Sequence, residues 1–106
     1  MQTAKAFVLT ANRANIPAIG FGTMELPHRP AELVAAAIAA GYRHIDTAWK
    51  YGSERAVGEA LRGSRVPRGA VFLTTKVSHE YLRAEDFARS VDESLKNLDV
   101  DYVDRL

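Results

Sequence analysis

The sequence contains no cysteine, which removes disulfide frameworks, thiolate nucleophiles and cysteine-type zinc sites and fits a reducing compartment. Long apolar runs are missing too. No stretch approaches the roughly 20 apolar residues of a membrane span, and the apolar run in the opening "MQTAKAFVLT" is too short for a signal-peptide core. The cytoplasm is the expected location. Nor does either sign of charge dominate: fourteen Lys and Arg face thirteen Asp and Glu, a formal charge of +1 with both signs interleaved along the chain. Such a balance leaves no nucleic-acid or membrane-surface footprint, and nothing in the sequence suggests a metal site. What is present, 106 residues of which 47% are hydrophobic and 25% charged, is the composition of one ordinary globular domain with a small core.

The apolar pattern changes period several times. "AFVL" (Ala6 to Leu9), the turn-like "ANRAN" and "IPAIGFG" read as a short hairpin leading into a first strand near Ala18 to Phe21. "PAELVAAAIAA", Pro30 to Ala40, is rich in helix formers, with Pro at a first helical position and Gly41 just past the end. "YRHID" reads as a second strand. Ser53 can cap a second helix running to about Arg62, whose Ala56, Val57, Ala60 and Leu61 fall on one face. "VFLTTK", Val71 to Lys76, is a third, β-branched strand. A third helix is expected from about Ala84 to Asn97, with Phe87, Val91, Leu95 and Leu98 as its apolar stripe and Glu85 and Asp86 in its first turn. "DYVDRL" then opens a fourth strand.

Expected strand starts near residues 19, 44, 71 and 102 lie roughly 25 to 31 residues apart, the repeat of right-handed βαβ crossovers and a parallel sheet. A doubly wound nucleotide-binding sheet would want G-x-G-x-x-G after the first strand, but Gly20 and Gly22 are followed by Glu25 where the third glycine belongs. The fold class expected is α/β, the N-terminal part of a (β/α)8 barrel. A whole barrel takes about 250 residues, so residues 1–106 read as an incomplete domain: a short hairpin, three βα units and the start of a fourth strand.

"GYRHIDTAWKYGSE" concentrates polar and aromatic residues just past the second strand. Asp46 and Lys76 each fall at the C-terminal end of a strand, the second and third, and Tyr51 lies in the loop between. That is the face on which such barrels do chemistry. Taken singly, each has an ordinary structural reading: Asp as a turn former or cap, Lys as a solvated charge, Gly20-Phe21-Gly22 as a tight strand-end turn.

In order, "IPAIGFGTMEL", "GYRHIDTAWKYGSERAVGEAL", "VPRGAVFLTTKV" and "SLKNLDVDYVD" resemble successive signatures of the aldo-keto reductase family, over nearly all the chain after the hairpin. The resemblance implies a barrel that binds NADPH, or NADH, and reduces aldehydes or ketones to alcohols. "HIDTA" with a short "TKV" loop is most similar to the bacterial branch acting on small dicarbonyl and keto-sugar substrates.

Carbonyl reduction needs a hydride from the nicotinamide and a proton for the oxygen. A phenol, with a pKa of about 10, is too weak an acid unaided. A nearby ammonium favours the phenolate, and a carboxylate keeps the ammonium charged and aimed. The family's motif places the acid on Tyr51, the lysine on Lys76 and the aspartate on Asp46. By the same resemblance, Gly22, Thr23 and Met24 form the segment whose backbone runs beside the nicotinamide ribose, and Asp46 touches that region. Trp49 either lines the substrate pocket or packs against its own barrel rim. Lys50 reads as solvent-facing, His44 as a packed inward residue on the pleat face of Asp46, and His28 and His79 as loop surface. None matches the family's remaining catalytic member, a histidine at the C-terminal end of the fourth strand, which is expected beyond Leu106.

Arg105 stands where the family's pattern has an apolar residue. The expected partner is a small carbonyl compound, with neither nucleic acid nor membrane. An unclosed parallel sheet would leave an edge open to self-association, and a non-catalytic remnant or half-barrel completed by a partner chain is the alternative function.

Overall fold

The computed structural model describes residues 8–11, 14–26 and 28–106. Strands β1 (Val8–Ala11) and β2 (Ala14–Pro17) pair antiparallel, Val8 opposite Pro17 and Ala11 opposite Ala14. The expected hairpin is therefore present, although Ala6, Phe7 and residues 12 and 13, part of the expected turn, lie outside the described residues. The first strand of the parallel sheet, β3, is Phe21–Gly22 rather than Ala18 to Phe21. Residues 18 to 20 are spent turning the chain out of the hairpin, and at Gly20 a Cβ would sit 3.2 Å from the His44 ring.

Helix α1 (Pro30–Ala40) has the boundaries its punctuation implies. Pro30 occupies the first turn, and Gly41, at φ 112°, donates its N–H to the carbonyls of Ala37 and Ile38. Strand β4 (His44–Asp46) follows, then α2 (Glu54–Gly63), β5 (Phe72–Thr74) and α3 (Ala84–Leu98). Sheet order is β3-β4-β5, all parallel, with Gly22 opposite Asp46 and Asp46 opposite Thr74. The expected fourth strand is seen at its start. Arg105 bridges Thr74 in parallel sense, and Asp104 donates its N–H to the Leu73 carbonyl at 2.8 Å.

Alternation along the short strands divides the sheet into two faces. Ile45 and Leu73, paired in register and both 0% exposed, look toward the helices and form the core with Val34, Ile38, Val57, Ala60, Val71 and Leu98. His44, Asp46 and Thr74 alternate with them. No helix among the described residues is long and apolar enough to cross a membrane.

Two expectations about the helices need correction. Ser53 stands at the N-cap position of α2, but its side chain makes no cap hydrogen bond, because its hydroxyl is engaged by buried threonines. The inward line of α3 runs through Ser90, Ser94 and Leu98, while Phe87 is 37% exposed and Val91 and Leu95 are half-buried. Close approach of α2 and α3 explains the rotation: a Cβ on Gly58 would meet the Leu98 carbonyl oxygen at 2.4 Å, and small serines suit so narrow a gap.

Candidate active site

The ladder between β4 and β5 continues past their ends. Thr47 donates its N–H to the Thr74 carbonyl at 2.8 Å and Trp49 to the Lys76 carbonyl at 3.2 Å. This ties the loop after β4 to the segment after β5. The loop then makes one 3₁₀ turn, Trp49–Tyr51, closed by Gly52 at φ 73°, a conformation that favours glycine.

These constraints bring Asp46, Tyr51 and Lys76 together. Lys76 Nζ donates to Asp46 Oδ1 at 2.7 Å and to Tyr51 Oη at 3.2 Å, and lies 5.1 Å from the Tyr51 ring centroid. The Lys76 and Asp46 side chains are 44% and 36% exposed, so the cluster opens to solvent at the C-terminal end of the strands. Burial on its own would lower the pKa of the Lys76 ammonium. The hydrogen bonds to Asp46 and Tyr51, with the charges of both, outweigh it and raise the pKa above the usual 10.5. Lys76 is therefore held as a cation with a carboxylate on one side and a phenol oxygen on the other.

Beside this cluster runs the Gly22 to Met24 segment. Gly22 is the register partner of Asp46, is exposed, and has no heavy atom within 4 Å of where a Cβ would stand. Met24 is 61% exposed, whereas Thr23 is 1% exposed and donates its N–H to the Asp46 carbonyl at 3.0 Å. The strand end beside Asp46 is thus an open shelf.

The remaining sequence candidates lie further out or deeper. Trp49 is half-buried and meets the Tyr81 ring edge-on at 5.1 Å between centroids. Lys50 faces solvent and pairs with Glu80 at 3.3 Å. His28 and His79 are exposed. His44 is buried, its Nδ1 3.1 Å from the Pro17 carbonyl oxygen and its ring edge-on to Phe72, on the face of Asp46 but deeper.

Two buried polar clusters next to the site were not read as clusters from the sequence, which named Thr23 only for the cofactor segment and Ser53 only as a helix cap. Thr23, Thr47 and Ser53 join hydroxyls within 2.8 to 3.3 Å of one another. Glu54, 2% exposed, accepts from Thr75 Oγ1 at 2.6 Å and from Asn97 Nδ2 at 3.2 Å. Their only sequence signal is adjacency: Thr47 follows Asp46, Thr75 precedes Lys76, and Ser53 and Glu54 come just after Tyr51.

Residues 18–106 match the family model described as "Aldo/keto reductase family". An aldo-keto reductase of Mycolicibacterium vanbaalenii is 48% identical over 90 residues, covering 84% of this chain and 32% of that protein. Methylglyoxal reductase DkgB of Salmonella typhi is 44% identical over 90 residues, covering 84% of this chain and 34% of its own length. Among solved structures, an aldo/keto reductase from Brucella melitensis superposes with a TM-score of 0.89 at 40% identity, over 93% of this chain and 39% of that one. These structural relatives are (β/α)8 barrels, and the three βα units here are the N-terminal part of that fold. The chain spans about a third of the length of the relatives it matches.

Proposed function

Because the chain belongs to the aldo/keto reductase family, we propose that it carries the proton-donating half of an NADPH-dependent carbonyl reductase site. In this reading Tyr51 is the acid, Lys76 its electrostatic support and Asp46 the carboxylate that orients Lys76. The single observation behind it is the Lys76 ammonium, bonded at once to Asp46 Oδ1 at 2.7 Å and to Tyr51 Oη at 3.2 Å.

The residues fit a nicotinamide cofactor. Open space over Gly22, next to Asp46 in register, leaves room for a ribose against the backbone of residues 22 to 24, with the Asp46 carboxylate within reach. When bound, a reduced nicotinamide supplies the hydride that reaches the carbonyl carbon. Tyr51 Oη gives its proton to the carbonyl oxygen. As that proton leaves, negative charge grows on Oη, and the Lys76 ammonium already donating to that oxygen stabilises it without rearrangement. Asp46 keeps Lys76 in that orientation and offsets the cost of holding a cation there. Trp49, edge-on to Tyr81 at the same end of the strands, supplies an apolar wall for a small substrate.

Small dicarbonyl and keto-sugar compounds are the substrate class proposed, a choice supported by the similarity to methylglyoxal reductase DkgB and by the short "TKV" loop. NADPH is favoured, NADH being the competing cofactor, and a cytoplasmic location agrees with the lack of cysteine. Since the matched relatives are about three times as long, the reaction is assigned to a barrel that these residues share with further strands. The intact mass of the product in its source cells, captured with an antibody to this segment, tests that assignment. A species of about 250 residues or more supports it; a species of 106 residues favours the remnant or partner-completed reading, in which the open sheet edge binds another chain. Titrating the intact product with NADPH and methylglyoxal tests the activity itself: cofactor fluorescence quenching and turnover are expected, and neither would be seen for a remnant.

A further inference from the structure

Three of the four segments that build the site each send one hydroxyl into a single buried contact, the fourth being the end of β5 that leads to Lys76. Thr23 follows Gly22 at the end of β3, Thr47 follows Asp46 at the end of β4, and Ser53 stands two residues after Tyr51. Thr23 Oγ1 donates to Thr47 Oγ1 at 2.8 Å, Ser53 Oγ donates to Thr23 Oγ1 at 3.2 Å, and the Thr47 and Ser53 oxygens are 3.3 Å apart. A hydroxyl has one proton to give. With those of Thr23 and Ser53 already directed, the Thr47 proton faces Ser53, and the three bonds close into a ring in which every member donates once and accepts once.

No water competes for these bonds, since Thr23, Thr47 and Ser53 are 1%, 0% and 6% exposed. The ring is tied to the sheet by backbone bonds, Thr23 N–H to the Asp46 carbonyl at 3.0 Å and Thr47 N–H to the Thr74 carbonyl at 2.8 Å. Ser53 joins the ring instead of capping a helix, since it occupies the N-cap position of α2 yet leaves that helix without a side-chain cap.

We propose that this closed ring of three hydroxyls is the positioning device of the site, fixing the turn that carries Tyr51 relative to Asp46 and to the Gly22 to Met24 segment. The ring hydroxyls act through Tyr51 and Asp46, and the catalytic consequence rests on the function proposed above. A cyclic network in a low-dielectric interior strengthens cooperatively. Its members therefore work as a unit, and loss of one hydroxyl releases the Tyr51 turn as fully as loss of two.

Two substitutions separate the hydroxyl from the shape. Thr47→Val removes the hydroxyl at nearly constant volume, whereas Thr47→Ser keeps it and removes a methyl. In the intact gene product, Thr47→Val is expected to speed hydrogen exchange of the Tyr51 and Gly52 amides by about tenfold or more. It is also expected to lower kcat by about 10- to 100-fold, with a smaller change in KM. Thr47→Ser returns both exchange and kcat to near wild type even though its Tm falls. Combining Thr23→Val with Thr47→Val lowers kcat no further than the worse single change. A merely structural role would instead lower kcat in step with Tm in both Thr47 variants, and that pattern overturns the proposal. So does unchanged exchange at Tyr51 in Thr47→Val. Faster exchange, combined with a Tyr51→Phe protein that still reduces carbonyls, supports the positioning role and removes Tyr51 from the chemistry, so the two failures are distinguishable. Should Thr47→Val not fold, Ser53→Ala opens the ring from its helix side and is read by the same exchange and kcat measurements.

Discussion

Replacing Lys76 with methionine keeps the side-chain length and removes the charge that joins Asp46 to Tyr51. At the 3.2 Å between Lys76 Nζ and Tyr51 Oη, a full charge pair is worth about 5 kcal/mol at an effective dielectric of about 20 and about 1.3 kcal/mol in bulk water. With 44% of the Lys76 side chain exposed, solvent screening places the effect between these limits, at about 2 to 3 kcal/mol. That corresponds to a loss of roughly 30- to 150-fold in kcat/KM for Lys76→Met. The assay is steady-state NADPH oxidation by the intact product with a small dicarbonyl substrate. Lys50→Met serves as the control, because Lys50 lies on the solvent side against Glu80 and its loss should leave the rate unaltered. Retention of at least half the wild-type kcat/KM in Lys76→Met would refute the reasoning. The same variant carries a pH signature. A raised folded-state pKa for Lys76 means that its contribution to stability is complete below the unfolded value of 10.5 and is lost as pH rises through the folded value. The stability gap between wild type and Lys76→Met, measured by denaturant titration, should therefore stay constant through neutral pH and narrow only above pH 10.5.

Three further changes test the scaffold beneath the site. Gly58→Ala places a methyl 2.4 Å from the Leu98 carbonyl oxygen, so overpacking of about 1 to 3 kcal/mol should outweigh the gain in helix propensity and lower the denaturation midpoint; a rise would refute the close α2 to α3 contact. Glu54→Ala leaves Thr75 and Asn97 without their buried acceptor and should cost about 2 to 3 kcal/mol of stability, measured by chemical denaturation. Leu73→Ala, at a fully buried core position, should cost about 2 to 5 kcal/mol by the same measurement.

What could be read from the sequence was what local chemistry dictates. Pro30 and Gly41 punctuate α1 on their own, and its observed boundaries coincide with them. Asp46 and Lys76 were placed at strand ends by apolar runs that stop there, and parallel pairing of adjacent strands brings such ends together. Features governed by partners distant in sequence were harder to read. The length of β3 depends on how the hairpin turns into the sheet over Gly20 and His44. The inward line of α3 is set by how closely Gly58 admits Leu98, so helical periodicity alone selected Phe87, Val91 and Leu95 over Ser90 and Ser94. Ser53 has the local signature of a cap, but Thr23, 30 residues earlier, claims its hydroxyl. Arg105 departs from the family's apolar pattern, yet its backbone bridges Thr74 as a fourth strand should, because that pairing requires only main-chain groups.

The proton-donor role proposed for Tyr51 is the centre of the account, and the rate of carbonyl reduction by Tyr51→Phe in the intact gene product measures it most directly. Phenylalanine keeps the ring above Lys76 and deletes only the oxygen that Lys76 contacts. Loss of turnover by about 10²- to 10⁴-fold, with NADPH still bound, is the predicted result. Turnover within a few-fold of wild type would contradict it.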